Sequence, residues 1–279
     1  MMDFGHPEIH DAVRRALEED IGAGDVTSEA CIPAGRRASG EFLAREAQVI
    51  AGVDLLPLIY EMRGGVERLE LRKNTGDKVF AGEVIASVSG AARTLLACER
   101  VALNFLQRLG GVATLAARFV ERVAGTGCRV LDTRKTTPGL RRLEKMAAAA
   151  GGVTNHRMGL YDAILIKNNH IAAAGGVRQA IDAARTASAL PIEIEVRTRE
   201  ELAEALDAGA AHVLLDNFTP AEAVELIRIA RGRAKVELSG GVTLDNVRDY
   251  ALTGADFVSS GAITHSAAAV DVSFRLRLE

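Results

Sequence analysis

Cysteine is scarce: Cys31, Cys98 and Cys128 are the three in the chain, odd in number and far apart. That spacing excludes a disulfide framework and a zinc-type cluster, and leaves buried free thiols as the expected state. No apolar run approaches the roughly 18 residues of a membrane span. The opening MMDFGHPEIHDAVRRALEED carries acids and a proline where a secretory signal needs an apolar stretch. A cytoplasmic protein with no membrane partner is therefore expected. A long basic block is missing too, and a net charge of -3 argues against a nucleic-acid partner, because phosphate-backbone binding needs clustered cations. His170 and His212 lack paired metal-ligand spacing, so they read as structural and zinc is not expected. What remains is an ordinary globular composition, with enough apolar residues among the 279 for one large or two modest domains.

Two halves follow different patterns. From about Thr27 to Ser89, short strands (GEFLAREAQVIAG, VERLELRK, EVIASVSG) alternate with glycine turns around an apolar helix, VDLLPLIYEMRG. The phrase NTGDKVFAGEVIASVSG resembles the turn of biotinyl and lipoyl carrier domains. A carrier needs a modified lysine at a second hairpin tip, and ARTLLACERVALNFLQRL follows instead, so the likeness reads as a shared strand-and-turn device. Leu95, Leu96, Val101, Leu103, Phe105, Leu106 and Leu109 recur at helical spacing and predict one long helix leading out of this half.

After Thr126 a strand-then-helix unit repeats, through CRVLD, AILIK, IEIEV, HVLLD, KVELSGG and FVSSG. Alternation of compact, nearly all-apolar strands with helices predicts parallel strands covered by helices. Asp132, Lys167, Glu195, Asp216, Ser239 and Ser260 fall at strand carboxyl ends, which converge on one mouth in a barrel and spread along a line in an open sheet. Six units fall short of the roughly 250 residues of an eightfold barrel, so an irregular, incomplete barrel is expected. The reading is thus α/β: an N-terminal α+β domain over residues 1–112 and an irregular α/β barrel over 113–270, with 271–279 free to pack back on the first domain.

LDTRKTTPGLRRLEK and TNHRMGLYDAILIKNNH bring Arg134, Lys135, His156, Arg157 and Lys167 toward that mouth, with Pro138 opening the next helix. Five potential cations in a net-acidic protein call for a polyanionic ligand; simple surface arginines are the alternative. Glu195 and Asp216 end neighbouring strands as hard oxygen donors, which suits Mg²⁺ bound with a phosphorylated substrate; ion pairing with the nearby cations is the alternative. SGGVTLDN and SSGAITHS follow the last two strands. A glycine pair ahead of a helix that starts at TLDN would present free amides and a helix dipole to phosphate, from Ser239, Gly240, Gly241, Ser260 and Gly261. His265 stands beside them as a further donor or as a capping residue.

With ERVALNFLQRLGGVAT, HVLLDNF and SGAITHSAAAVD added, these motifs resemble those of the quinolinate phosphoribosyltransferase family from about Asp20 to the C-terminus. The resemblance implies transfer of phosphoribosyl from phosphoribosyl pyrophosphate to quinolinate with loss of CO₂, a step toward NAD. It also implies that the N-terminal α+β domain is an open sandwich packed on the irregular barrel, and a homodimer with shared active sites, or a hexamer built of such dimers. By the same resemblance Arg134, His156, Arg157 and Lys167 hold the quinolinate carboxylates with Lys135, and Arg100 enters from the partner subunit. Glu195 and Asp216 would serve Mg²⁺ and ribose. Ser239, Gly240, Gly241 and Gly261 would serve the phosphate, with His265 close by. Lys135, Lys167, Glu195 and Asp216 are the expected catalytic residues, and no organic cofactor is expected. Asn168 stands where the family usually has aspartate, which removes an anion there. A related branch associated with molybdate transport is the alternative; the TRK, NHR, SGG and THS motifs favour the main branch.

Overall fold

The computed structural model describes residues 4–278. It forms two compact units that interleave along the chain: one takes the chain up to Ala117, Thr137–Gly152 and the stretch from Ala267 on, the other Arg118–Thr136 and Val153–Ser266. The boundary expected at 112/113 thus falls within a helix, and the segment after Thr136 returns to the first unit.

In the first unit, α1 (Pro7–Ile21) starts where the His6 ring accepts from the Glu8 amide, and it buries Ile9, Val13 and Leu17. Asp25 caps α2 (Val26–Cys31) by accepting from the Ser28 amide. Strands β1 (Arg37–Ala44), β2 (Gln48–Val49), β3 (Arg68–Leu71), β4 (Lys78–Val79) and β5 (Val84–Ala91) follow, with α3 (Leu56–Glu61) after β2. The antiparallel sheet runs C-terminal strand, β1, β5, β3, where the C-terminal strand is Val272–Leu278; β2 and β4 form a separate pair. Phe42 faces Phe274 across the join, ring centroids 4.7 Å apart. Gly40 is required beside them, because a Cβ there would run into the Phe274 ring.

The predicted long helix is α4 (Ala92–Val123), 32 residues, about 48 Å of helix. It buries Leu95, Val101, Phe105, Leu106 and Leu109. Of the thiols, Cys98 and Cys128 are buried, and burial pushes each up to about 12. Cys31 differs from expectation: at the end of α2 it is exposed. Pro138 does not open the next helix. Gly139 at φ 78 and a Leu140 amide bonded to the Thr137 carbonyl make a turn, and α5 (Arg141–Ala150) begins after it. Glu144 of α5 is fully buried and explains the delay. Its carboxylate accepts from Arg108 Nε (3.0 Å) and Nη2 (2.7 Å), from the Thr137 amide (2.9 Å) and from the Thr137 hydroxyl (2.6 Å).

The second unit holds six parallel strands: β6 (Arg129–Leu131), β7 (Ile164–Ile166), β8 (Ile192–Val196), β9 (His212–Asp216), β10 (Lys235–Ser239) and β11 (Phe257–Ser259). Helices α6 (Asn168–Ala174), α7 (Val177–Ala187), α8 (Arg199–Asp207), α9 (Pro220–Ala230), α10 (Val247–Ala251) and α11 (Ala262–His265) lie between and after them. Thr198 caps α8, and Thr219 with Glu222 forms a capping box on α9 ahead of Pro220. The sheet order is β6, β11, β10, β9, β8, β7. The first strand lies beside the last, which is barrel connectivity. The seam between β6 and β7 has no ladder; instead Leu131 bridges to Thr154 on an extended segment. The barrel is thus irregular, with six strands rather than eight.

The strands are less apolar than expected. In register, Glu195, Leu214, Glu237 and Phe257 stand side by side, and Glu193 and Asp216 share their face by period-2 alternation. Ile194, Val196, Val213, Leu215, Val236, Leu238 and Val258 form the opposite, buried face. Among the described residues no helix is long and apolar enough to cross a membrane.

Glu144 anchors Arg108 and the Thr137 turn together, so removing its charge takes the buried carboxylate away from a half-buried guanidinium. Glu144→Ala is expected to lower stability by about 3–5 kcal/mol, and Glu144→Gln by less. The midpoint of urea denaturation checks this; equal midpoints for wild type and Glu144→Ala would contradict it.

Candidate active site

A cavity of about 760 Å³ lies at the carboxyl ends of the six strands. Every residue lining it belongs to the second unit. Arg134, Lys135, His156, Arg157, Lys167, Glu195, Asp216, Ser239, Gly240, Gly241, Ser260, Gly261 and His265 all contribute. Arg100 does not: it is an exposed residue of α4 in the first unit.

Lys167, just past β7, reaches Glu195 Oε2 at 3.2 Å. Arg197, two residues past Glu195, places one nitrogen 3.1 Å from Glu195 Oε1 and 3.2 Å from Asp216 Oδ2. Asn217 Nδ2 donates to the same Asp216 oxygen at 2.9 Å. Ion pairing of the two carboxylates with nearby cations is therefore present. Arg197 was missed from the sequence; its signal is its place directly after the strand IEIEV, next to a carboxylate already singled out.

The segment carrying His156 and Arg157 has no helix or strand to hold it and is fixed by side chains. Asp132, fully buried after β6, accepts from Asn155 Nδ2 at 2.6 Å and from the His156 amide at 2.8 Å. His156 Nε2 lies 3.0 Å from Glu193 Oε2 and 3.6 Å from Glu237 Oε2. Its Nδ1 accepts from the Arg157 amide at 2.7 Å. Arg157 Nη1 then donates to the Ala163 carbonyl at 3.1 Å. Burial and the neighbouring Arg134 charge hold the Arg157 pKa below its ordinary value. A site that disfavours its own guanidinium is one that an incoming anion relieves.

Beneath the mouth, Glu193 and Glu237 are buried side by side. Burial, with the Glu193 charge close by, raises the Glu237 pKa well above its ordinary value. Burial also pushes Glu193 upward, but the hydrogen bond from His156 and the neighbouring His212 outweigh it and keep it low. His212 Nε2 approaches Glu193 Oε1 to 3.3 Å without hydrogen-bond geometry, and burial lowers its pKa. Among the described residues, His156, Glu193 and Glu237 are the group whose ligating atoms lie within 4.8 Å of one another. Neither glutamate was singled out from the sequence, although the alternation in IEIEV and KVELS puts both on the interior face.

In the same lining, Gly240 (φ 98) and Gly241 (φ 63) both take left-handed backbone conformations, and a Cβ on Gly240 would run into the Asn217 side chain. TLDN forms a turn, not a first helical turn: Asn246 Oδ1 accepts from the Thr243 amide, and the five-residue α10 begins at Val247. The expected helix dipole is therefore replaced by a glycine turn. The Ser260 hydroxyl donates to the Val242 carbonyl at 2.7 Å and ties the two late loops together. His265 is exposed, with Nδ1 2.6 Å from the Ser266 hydroxyl. His170 caps α6, its Nδ1 accepting from the Lys167 amide at 2.9 Å, and Asn168 is exposed at the start of that helix.

Comparison with known proteins gives a consistent picture. The profile of the quinolinate phosphoribosyl transferase C-terminal domain matches residues 112–275, and that of the N-terminal domain residues 25–110. The chain is 39% identical over 277 residues to the probable nicotinate-nucleotide pyrophosphorylase (carboxylating) of Bacillus subtilis, covering 99% of this chain and 96% of that one. It is 42% identical over 283 residues to the nicotinate-nucleotide pyrophosphorylase (carboxylating) of Mycobacterium leprae, covering 99% and 100%. The crystal structure of NadC from Streptococcus pyogenes superimposes with a TM-score of 0.93 at 36% identity, over 98% of this chain and 97% of that one.

Proposed function

The chain belongs to the quinolinate phosphoribosyltransferase family, and from that premise we propose that it transfers phosphoribosyl from phosphoribosyl pyrophosphate to quinolinate, releasing pyrophosphate and CO₂ and forming nicotinate mononucleotide. The observation that carries the reading is one cavity with Arg134, Lys135, Arg157 and Lys167 among its lining and the Ser239–Gly240–Gly241 turn beside Asp216. A dianionic pyridine and a polyphosphorylated sugar are the ligands such a lining balances. The names of the relatives favour this branch over the one associated with molybdate transport. As a step toward NAD, the reaction is assigned to the cytoplasm.

In this reading Arg134, His156, Arg157 and Lys167 hold the quinolinate carboxylates together with Lys135, and the glycine turn takes the 5′-phosphate with His265 beside it. The pyridine nitrogen forms a bond to the anomeric ribose carbon while the bond from that carbon to pyrophosphate breaks. The adjacent carboxylate then leaves as CO₂. Its bonding pair stays on the ring carbon next to the cationic nitrogen, which stabilises it until a proton arrives. The protein's work is alignment and charge stabilisation, and no organic cofactor is called for.

Glu195 and Asp216 fit a hard divalent cation. Both are oxygen donors on neighbouring strands; one nitrogen of Arg197 touches both, and Lys167 touches Glu195. They would hold Mg²⁺ together with phosphate oxygens, and the ion would offset the charge of the departing pyrophosphate. The deeper His156, Glu193 and Glu237 group suits Mg²⁺ less, because imidazole is a ligand of softer ions.

Quinolinate should be used in preference to nicotinate by about a thousandfold or more in kcat/KM, since cations left unpaired in the site cost several kcal/mol. Nicotinate mononucleotide formation, stopped by chelator and restored by Mg²⁺, measures this. Equal turnover of the two acids contradicts the reading.

We further propose a homodimer, alone or within a larger assembly of dimers such as a hexamer, in which Arg100 completes the site of the partner subunit. Arg100→Ala and Lys135→Ala should each lower activity about a hundredfold. When equal amounts are refolded together, about half the dimers are mixed. Each mixed dimer then holds one site with both changes and one with neither, so activity recovers to about a quarter of wild type. No recovery, in a preparation shown by mass to contain mixed dimers, contradicts sharing.

A further inference from the structure

Glu195 and Asp216 are the pair read above as the seat of a divalent cation, yet the protein already engages both. Lys167 meets Glu195 Oε2 at 3.2 Å, and Arg197 Nη2 stands 3.1 Å from Glu195 Oε1 and 3.2 Å from Asp216 Oδ2. Asn217 Nδ2 shares that Asp216 oxygen at 2.9 Å. An ion of the Mg²⁺ class needs its oxygens at about 2.1 Å, on the same lone pairs that the guanidinium uses. Between these two carboxylates, guanidinium and metal therefore exclude one another. The Arg197 side chain is the group able to yield: it is 47% exposed, against 5% for Glu195 and 17% for Asp216. Its backbone is pinned, because the Arg197 amide donates to Glu201 Oε2 at 2.7 Å and Thr198 caps α8 directly after it. Arg197 is also not among the residues lining the cavity, so its retreat dismantles none of the wall.

We propose that Arg197 is a built-in counter-ion, which holds the Glu195–Asp216 pair before substrate binds and gives it up to the metal. Two carboxylates on neighbouring strands repel one another unless a cation stands between them, and the arginine supplies one without any metal. The same contact weakens the binding of a bare ion. An ion that must displace a resident guanidinium binds with an affinity reduced by the fraction of time the pair stands open. Metal arriving with phosphoribosyl pyrophosphate brings phosphate oxygens as further ligands, which offset the displacement; a bare ion brings none. Arg197 thereby favours metal that comes with substrate over metal alone. The proposal rests on the reading that Glu195 and Asp216 hold the metal.

The test measures binding of Mn²⁺, standing in for Mg²⁺, to the intact substrate-free enzyme, through the electron paramagnetic resonance signal of the free ion. Arg197→Met should bind Mn²⁺ about tenfold more tightly than wild type, as an arginine in place about nine-tenths of the time requires. Arg199→Met removes the same charge close by, from an arginine paired with Glu225, and should leave the affinity within about twofold of wild type. Adding Asp216→Asn to Arg197→Met should undo the gain. The thermal midpoint gives a second readout. In chelator Arg197→Met should melt below wild type, and Mn²⁺ should raise its midpoint more than that of wild type. Should Arg197→Met fail to fold, Arg197→Gln, which is neutral but polar, takes its place. Equal Mn²⁺ affinity in wild type and Arg197→Met would overturn the proposal while leaving the metal reading intact, as would a gain of the same size in Arg199→Met. A gain that survives Asp216→Asn, or Mn²⁺ binding to neither wild type nor Arg197→Met, would refute the assignment of the metal to this pair, and the proposal with it.

Discussion

Cations gathered on one cavity wall repel one another, and a fold can hold them there only if anions stand within a few ångström. Arg134, Lys135, Arg157 and Lys167 line one such cavity. Glu195 and Asp216 answer Lys167 and, through Arg197, each other. Glu193 and Asp132 hold the segment from which Arg157 projects, and the Glu193 charge also acts on that arginine. The balance is local and incomplete, which is the condition for binding an anion: Arg157 keeps a pKa below its ordinary value until negative charge arrives.

The architecture follows from that constraint. Carboxylates can sit inside a parallel sheet only where its inner face curls around a polar space, since two covered faces would strand them in apolar packing. The β6–β11 pairing supplies the curl. The unladdered seam between β6 and β7 leaves room for an extended segment, and that segment carries His156 and Arg157. The late strands add the complementary device, a turn in which Gly240 and Gly241 open the backbone and Asn217 occupies the place of a side chain.

Much of this was legible in the sequence because it depends on local pattern. Alternating strand and helix signals predicted the parallel unit, and strand-end residues such as Lys167, Asp216 and Ser239 predicted which end carries the mouth. What escaped depends on partners distant in sequence. Arg197 looks like a solvated arginine until Asp216 is placed 3.2 Å away. Glu193 and Glu237 sit in strands that pass as apolar, and only the curled sheet brings them together beside His156. Pro138 and TLDN carry helix-start signals, but Glu144 and Asn246 bond to the preceding backbone and hold turns there instead.

The central claim is that this cavity is built for a dianion whose two carboxylates are met by arginine and lysine. The most direct measurement is a crystal structure of the enzyme soaked with quinolinate. The account predicts both carboxylates on the wall of Arg134, Lys135, Arg157 and Lys167, with the ring nitrogen turned toward the side of Asp216 and the glycine turn. Quinolinate bound elsewhere, or one carboxylate pointing into solvent with the arginines unengaged, would contradict it.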